Sequence, residues 1–337
     1  NIVINGHEYV FGVGGIHSSE PPSLIESDDE YLIIDLDVAS YYPNLAIKNE
    51  LFPKHLSNQF CKTYEDLFEE RKTHPKGSPE NGSIKLALNA TYGNSNNKYS
   101  PFYDAQYTMA ITVNGQLSLC MLLEQILKLE GATSVQSNTD GITFRVKRSD
   151  SDEVDRLTRE WEEVTKLEME RNDYSKMYIR DVNNYVAVYE ESGKSKSKGA
   201  YEITDQHHKN QSMKVVQKAV EAYLEKGTSV EEFVKNHDDK YDFMLRAKIP
   251  KLYDLVTVDD NETETKEQNV TRYYVSISDK AKTLIKVMPP LKGKTDNRRN
   301  NVQSGRKVIV CNNIVDFIDE IDYDYYIEEA SKLVDIF

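Results

Sequence analysis

The sequence has few cysteines and no long uninterrupted apolar run. Its three cysteines are scattered without the spacing of a zinc site: Cys61, Cys120 and Cys311. This usage predicts reduced intracellular thiols. A polar triplet at 114–116 interrupts the most apolar segment, 105–130, which excludes a membrane span there. Neither a signal peptide nor an initiating Met begins the sequence, so we expect a cytoplasmic protein or an excised fragment of one.

The net charge of −14 restricts the partners that the chain can bind. Nucleic-acid binding depends on local neutralisation of phosphates, so it requires that basic residues share one surface. Basic residues concentrate at 280–286 and 292–307, and acidic residues gather at 316–329. The stretch 292–307 lacks apolar periodicity, which predicts either a loop that closes on duplex DNA or a solvated loop without a ligand. Lys286 and Lys307 are the candidate duplex contacts.

Three short segments carry residues suited to phosphoryl transfer: Asp37–Pro43, Lys85–Gly93 and Ser137–Gly141. The first and third place a carboxylate beside β-favouring residues, and the second places Lys85 and Asn89 one helical turn apart on the same face. Phosphoryl transfer requires positioning, charge neutralisation and divalent ions. Any one of these aspartates alone would be typical of a turn. All three segments in order predict a nucleotidyl-transferase site.

The hydrophobic pattern around these segments predicts an α+β fold. Residues 83–92 predict a short buried helix closed by Gly93, and the helix before it is expected to end at His74. Residues 105–130 predict a central buried helix. The β-branched residues on both sides of the third segment predict a hairpin that holds Asp140 at its tip.

The order D-x-x-S-x-Y-P from Asp37, K-x-x-x-N-x-x-Y-G from Lys85 and T-D from Thr139 is similar to motifs A, B and C of family B DNA polymerases, especially those of the compact bacteriophage type. The family's Ser and Tyr-Pro follow at the right offsets from Asp37 and not from Asp35. The resemblance implies a right-hand polymerase with a palm of antiparallel sheet covered by helices, short two-helix fingers and a thumb. The implied domains are 1–48 for the palm with motif A, 49–104 for the fingers with motif B, 105–205 for the palm with motif C and 206–337 for the thumb.

The resemblance assigns catalysis and metal binding to Asp37 and Asp140, with the backbone carbonyl of Val38 as a further ligand. The implied cofactors are two Mg²⁺ ions, for which Mn²⁺ can substitute. Motif C departs from the family, which usually has D-T-D-S where this chain has N-T-D-G at 138–141. Asn138 can coordinate through its carbonyl oxygen, but it adds no negative charge, so we expect a lower metal affinity than with three carboxylates.

The resemblance places six residues around the incoming nucleotide: Lys85, Asn89, Arg71, Tyr42, Tyr41 and Ser40. Lys85 and Arg71 would neutralise the triphosphate, although a helix C-terminus favours a cation such as Arg71 for dipole reasons alone. Tyr42 matches an aromatic gate whose ring would collide with a ribose 2′-hydroxyl. The predicted substrates are therefore deoxynucleotides.

Seven further residues are assigned to DNA: Tyr92, Gly93, Tyr185, Lys198, Gly199, Gly14 and Gly15. Tyr92 and Gly93 would form the floor beneath the nascent base pair. Tyr185 matches a primer-contacting element in which Asn183 replaces a lysine. A solvated basic turn explains Lys198 and Gly199 equally well, and a glycine turn between strands explains the other two glycines equally well.

The function implied is template-directed addition of deoxynucleotides to a primer 3′-hydroxyl with release of pyrophosphate. The expected partners are primer-template DNA, dNTPs and a separate exonuclease or replication accessory protein, because no D-x-E pattern lies in a predicted strand ahead of Asp37. No membrane is implied, and a viral chain would work in the host cytoplasm. The alternatives are a reverse transcriptase-like polymerase, a catalytically weakened palm that serves as a DNA-binding replication subunit and, least favoured, a two-metal nuclease.

Overall fold

The computed structural model describes residues 1–4, 6–204 and 212–337. Within these ranges the chain is a mixed α/β protein with antiparallel sheets. Its α-helices are α1 Tyr41–Lys48, α2 Gln59–Lys72, α3 Pro79–Gly93, α4 Ala105–Ile126, α5 Ser151–Thr165, α6 Lys214–Lys226, α7 Val230–Lys235 and α8 Tyr323–Val334. Its strands are β1 Ile2–Ile4, β2 His7–Phe11, β3 Ile16–Ser19, β4 Ser23–Glu26, β5 Tyr31–Val38, β6 Thr133–Asn138, β7 Gly141–Lys147, β8 Met169–Asp181, β9 Asn184–Tyr189, β10 Ser195–Lys198, β11 Leu245–Lys248, β12 Asp254–Val258, β13 Glu264–Lys266, β14 Val270–Val275, β15 Thr283–Met288, β16 Arg298–Asn301 and β17 Val308–Val310.

The chain divides into two compact units, Asn1–Lys198 and Gly199–Phe337. The domain boundary predicted between 205 and 206 falls in 205–211, which lies outside the described residues. The first unit contains one ten-stranded sheet in the order β1-β2-β3-β6-β7-β5-β8-β9-β10, with β4 paired to β8. Strand β5 therefore lies between β7 and β8 and has neighbours on both edges.

Strand β5 separates two apolar clusters because its side chains alternate between the faces of the sheet. Leu32, Ile34 and Leu36 are buried in the larger cluster, together with residues of α1, α4 and α5. Ile33, on the opposite face, is buried in a smaller cluster with residues of β8 and β9 such as Tyr174. Asp35 and Asp37 share the face of Ile33, so the helix-covered face stays apolar.

Helices α2 and α3 form an antiparallel pair around a turn that contains proline and glycine. Pro79 is at the first position of α3, and the Ser78 side chain accepts a hydrogen bond from the Asn81 backbone N–H, which makes Ser78 the N-cap. The predicted start at 83 was therefore four residues too late. Gly93 is the last residue of the helix and Asn94 is the C-cap, so the predicted glycine cap was wrong.

Two helices are more exposed than their apolar composition predicted. Within α3 only Asn81 and Leu88 are buried, and Leu86 is 69% exposed, so this helix is not buried. Helix α4 buries one face, but a stripe at intervals of four residues faces solvent: Met109, Val113, Leu117 and Met121. None of the described helices is long and apolar enough to cross a membrane.

The second unit has a three-stranded sheet, β11-β14-β17, and a four-stranded sheet, β13-β12-β15-β16. Its helices are α6, α7 and α8. Part of the stretch 292–307, predicted as a loop, is strand β16, which pairs with β15. Basic and acidic residues that are separate in the sequence meet in the structure, because Arg306 pairs with Asp322 and Glu328 at 2.8 and 2.7 Å. Lys307 pairs with Asp260 at 2.6 Å.

Candidate active site

The sheet brings the first and third sequence segments together. Strand β5 pairs with β7 so that Asp37 lies opposite Gly141, the residue after Asp140. The Val38 backbone N–H donates to the Asp140 backbone oxygen at 2.8 Å. The two candidate catalytic aspartates, distant in sequence, therefore occupy neighbouring strands at the same end of the central strand pair.

The turn that carries Asp140 is held in an unusual conformation. Thr139 has a φ of +59°, and the Asp140 N–H donates to the Asn138 carbonyl at 2.6 Å, as in a γ-turn. A positive φ is unfavourable for a β-branched residue, so the surroundings must maintain it. Thr139 donates its N–H to the Ile16 carbonyl at 2.9 Å, and its hydroxyl lies 3.1 Å from Nε2 of His17. Strands β3 and β5 thus hold the turn from both sides.

Two glycines allow the close approach of backbone and side chains at this turn. A Cβ at Gly141 would lie 2.1 Å from Oδ1 of Asp37. A Cβ at Gly15 would lie 3.0 Å from the Cα of Thr139. Glycine at 141, where the resembled family usually has serine, therefore leaves the space that the Asp37 carboxylate occupies.

Asp35 lies behind Asp37 on the same strand face and is buried. Its carboxylate accepts hydrogen bonds from the Thr143 hydroxyl at 2.7 Å and the Tyr174 hydroxyl at 2.8 Å. The ammonium group of Lys196 lies 3.5 Å from Oδ2 of Asp35 and 3.4 Å from Oδ2 of Asp37. Lys196 thus links the two carboxylates.

Electrostatic repulsion and burial act on the same acids. Burial, with the charges of Asp35 and Asp140, raises the pKa of Asp37 to about 6, although Lys196 opposes the shift. Partial desolvation also raises the pKa of Asp140, against the charges of Lys198 and Lys196. Although burial opposes its charged form, the neighbouring carboxylates hold the pKa of Lys196 above its usual value. The negative charges of Asp35, Asp37 and Asp140 would favour a bound cation.

The two carboxylates of the site are suited to Mg²⁺ that is also bound by substrate phosphates. The described residues contain no group of three or more His, Cys, Asp or Glu side chains arranged to hold a metal ion. Mg²⁺ is usually bound by one or two carboxylates together with substrate phosphates, which is the number that Asp37 and Asp140 supply. The amide of Asn138 donates to the Val182 carbonyl at 3.1 Å, and its oxygen accepts from the Thr139 hydroxyl at 3.3 Å. Coordination by Asn138 and by the Val38 carbonyl stays a prediction.

Tyrosines of the first segment pack beside the acids. The ring of Tyr42 stacks on Tyr92 with centroids 4.0 Å apart and an interplanar angle of 14°. The Tyr42 hydroxyl donates to the Gly14 carbonyl at 2.5 Å. Tyr41 is buried, and its hydroxyl donates to the Gly115 carbonyl of α4. The ring of Tyr42 is therefore fixed by contacts on two sides, whereas Tyr41 packs into the core.

Arg71, near the end of α2, reaches the first segment. Its Nη1 donates to the Ser40 hydroxyl at 2.8 Å, and its Nε donates to Oδ1 of Asn81 at 3.3 Å. Ser40 has a φ of +48°, so it too requires support from its surroundings. Lys85 and Asn89 are both exposed on α3. The structure thus joins Arg71 to the first segment and leaves these two side chains open to solvent.

The residues assigned to DNA have different surroundings. Gly93 and Gly14 are exposed, whereas Gly15 is buried. Lys198, at the end of the first unit, and Gly199, at the start of the second, are also exposed. Tyr185 is buried in the smaller apolar cluster. Contacts of these residues with DNA stay predictions.

Sequence reasoning missed four residues that hold the site in place: Lys196, Tyr174, Asn81 and Thr143. The one signal for Lys196, Tyr174 and Thr143 is the acid at Asp35, which lies between apolar residues of β5. A buried carboxylate requires hydrogen bonds or a counter-charge, but the sequence does not show which residues supply them.

No protein-family model and no curated protein matches the sequence. Among solved structures, the family B DNA polymerase from the hyperthermophilic archaeon Pyrobaculum calidifontis is similar, with a TM-score of 0.51 and 17% sequence identity. The similarity covers 95% of this chain and 47% of that one, so the chain spans about half of the neighbour's length. At this identity the comparison supports a polymerase-like fold and nothing finer.

Proposed function

We propose that the chain is a DNA-directed DNA polymerase that adds deoxynucleotides to a primer 3′-hydroxyl and releases pyrophosphate. The observation that carries the proposal is the meeting of the Asp37 and Asp140 segments at one end of the β5-β7 pair, within a fold similar to a family B DNA polymerase. From the motifs we propose that the enzyme is a family B DNA polymerase of the compact bacteriophage type.

In this proposal the ten-stranded sheet with α4 and α5 forms the palm, and the α2-α3 pair forms short fingers. The thumb is assigned to 206–337, of which the structure describes 212–337. The short turn between α2 and α3 supports small fingers, since little chain separates the two helices.

Asp37 and Asp140, with the Val38 carbonyl and Asn138, would hold two Mg²⁺ ions. When bound, such ions neutralise charge on the attacking and leaving oxygens. The residues of this chain align the primer oxygen with the α-phosphorus, so that one P–O bond forms as the bond to pyrophosphate breaks. Lys85 and Arg71 neutralise the triphosphate, with the amide of Asn89 in the same pocket.

Primer extension tests the proposal directly. Asp37→Ala and Asp140→Ala are each expected to abolish extension of a DNA primer-template with Mg²⁺ and dNTPs, while DNA binding measured by fluorescence anisotropy persists. Asp29→Ala, which removes an exposed carboxylate from a turn outside the site, is the matched control and is expected to extend normally. Retained extension in either site variant contradicts the assignment.

Other outcomes of the same assay separate the alternatives. Extension on an RNA template would indicate a reverse transcriptase-like enzyme. DNA binding without any extension by the wild type would indicate a replication subunit, an alternative that draws on Asn138 in place of an acid. Metal-dependent shortening of the primer would indicate a nuclease.

A further inference from the structure

A chain of contacts across four strands ends on the candidate catalytic carboxylate. Thr143 of β7 and Tyr174 of β8 donate to the buried Asp35 of β5 at 2.7 and 2.8 Å. Lys196 of β10 lies 3.1 Å from the Tyr174 hydroxyl, which accepts from it, and contacts both aspartates. Thr143, Tyr174 and Asp35 are buried, and the side chain of Lys196 is 20% exposed.

The Asp37 carboxylate is the last group in this series of contacts. Its side chain is 40% exposed, and within 1–4, 6–204 and 212–337 Lys196 is the sole hydrogen-bond donor to it. Lys196 contacts Oδ2, while Oδ1 lies over Gly141 beside the Asp140 turn. A carboxylate that is exposed to this extent and has no such partner would sample several rotamers.

We propose that Lys196, anchored by Asp35 and Tyr174, is a positioning residue that fixes the Asp37 carboxylate with Oδ1 directed toward the Asp140 turn. Asp35 serves as the anchor of this arrangement and not as a third metal ligand. The inference rests on the proposed function, since it concerns the orientation of a carboxylate that would bind a divalent cation.

A charge-matched double variant separates positioning from simple charge balance. In Asp35→Asn/Lys196→Met, one negative and one positive charge are removed together, so the net charge near Asp37 is unchanged. If Lys196 positions Asp37, the variant should lose about 10-fold or more in Mn²⁺ affinity, as is typical when groups that orient a ligand are removed. The affinity is measured by electron paramagnetic resonance on the protein alone, without DNA.

The control removes one lysine and one acid from an exposed pair in the same sheet. Glu26 and Lys176 form an exposed pair at 2.7 Å between β4 and β8. Glu26→Gln/Lys176→Met is expected to bind Mn²⁺ as the wild type does. In extension assays, the Asp35/Lys196 variant should lower kcat with little change in KM for dNTP, because the nucleotide contacts assigned to Lys85 and Arg71 are untouched.

Wild-type Mn²⁺ affinity, or tighter binding, in the folded Asp35→Asn/Lys196→Met variant would overturn the inference and make Lys196 only a counter-ion of Asp35. If thermal melting shows that this variant does not fold, Tyr174→Phe decides, since it removes only the hydroxyl that contacts both Asp35 and Lys196. Unchanged Mn²⁺ affinity in Tyr174→Phe would also overturn the inference. Failure of the proposed function can be distinguished from failure of this inference, because the wild-type protein would then not extend a primer.

Discussion

The position of Asp37 in the sheet disfavours the charged form of its carboxyl group. Its pKa in the folded protein is about 6, above the ordinary value of 3.8, because burial and the Asp35 charge outweigh the attraction of Lys196. A raised carboxyl pKa contributes stability below the unfolded value, and this contribution is lost as pH rises through about 6. The site thus gives up folding stability in order to present a charged oxygen at neutral pH.

The variant Asp37→Asn tests this linkage. In EDTA at pH 8 we expect it to melt at a higher temperature than the wild type, because the amide removes an unfavourable charge. Below pH 4 the difference should shrink, since Asp37 is then protonated. Differential scanning calorimetry at both pH values measures the effect, and Asp29→Asn controls for the loss of one surface charge. A lower melting temperature at pH 8 would mean that the Lys196 contact outweighs burial.

Tyr42 makes a second prediction at the residue scale. Its ring is held by stacking on Tyr92 and by the hydroxyl contact with Gly14. If the ring blocks a ribose 2′-hydroxyl, Tyr42→Ala should raise ribonucleotide use relative to deoxynucleotide use by about 10-fold or more, a typical size for steric discrimination in a pocket. Tyr42→Phe keeps the ring and should discriminate as the wild type does. Comparison of kcat/KM for matched rNTP and dNTP pairs decides, and unchanged discrimination in Tyr42→Ala contradicts the gate.

At the scale of elements, α2 and α3 are joined by Asn81. Its side chain is buried and donates to the carbonyls of Arg71 and His74 at 3.1 and 3.0 Å, while its oxygen accepts from Nε of Arg71. One amide therefore closes the end of α2 and orients the guanidinium that reaches Ser40.

Asn81→Ala should destabilise the fold by about 1–3 kcal/mol, the usual cost of leaving buried polar groups without partners. It should also raise KM for dNTP, because Arg71 loses a partner that orients it. Urea unfolding and steady-state extension measure the two effects. Asn94→Ala, which removes an exposed amide at the other end of α3, is the control and should change neither. Wild-type stability in Asn81→Ala contradicts the joining role.

Elements with strong local signals were predictable from the sequence, and elements defined by distant pairing were not. The hairpin around Asp140 and the amphipathic helix α5 follow from β-branched clusters and from a repeat of three and four residues. Strand β8 has thirteen residues, most of them polar, and exists because it pairs with β4, β5 and β9. The partner of Asp35 was hidden for the same reason, since Lys196 reaches it only once β10 pairs with β9.

At the scale of the whole molecule, the excess of acidic residues limits the free positive charge. In the second unit Arg299 pairs with Glu264, Arg306 with Asp322 and Lys307 with Asp260. Lys286 lies over the ring of Tyr253, with its Nζ 5.1 Å from the centroid. Of the two candidate duplex contacts, Lys307 is therefore paired with a carboxylate, whereas Lys286 contacts an aromatic ring. Binding to DNA would require that phosphates compete with these carboxylates.

The division into two units leads to the prediction that the first unit folds and binds Mn²⁺ without the second. The first unit holds the ten-stranded sheet, both apolar clusters and every residue of the Asp35–Lys196 contact chain. A fragment of residues 1–204 is therefore expected to unfold cooperatively and to bind Mn²⁺ as tightly as the full chain. A fragment of residues 1–190 lacks β10, and with it Lys196, so it should bind Mn²⁺ more weakly.

Circular dichroism and electron paramagnetic resonance on the two fragments measure folding and Mn²⁺ affinity. Equal affinities in two folded fragments would show that β10 is dispensable for the orientation of Asp37. An unfolded 1–204 fragment would show that the first unit depends on the second for its stability, because its own apolar clusters would then not offset the conformational entropy of the chain. Cooperative folding of 1–204 with full affinity would place the metal-binding determinants in the first unit alone.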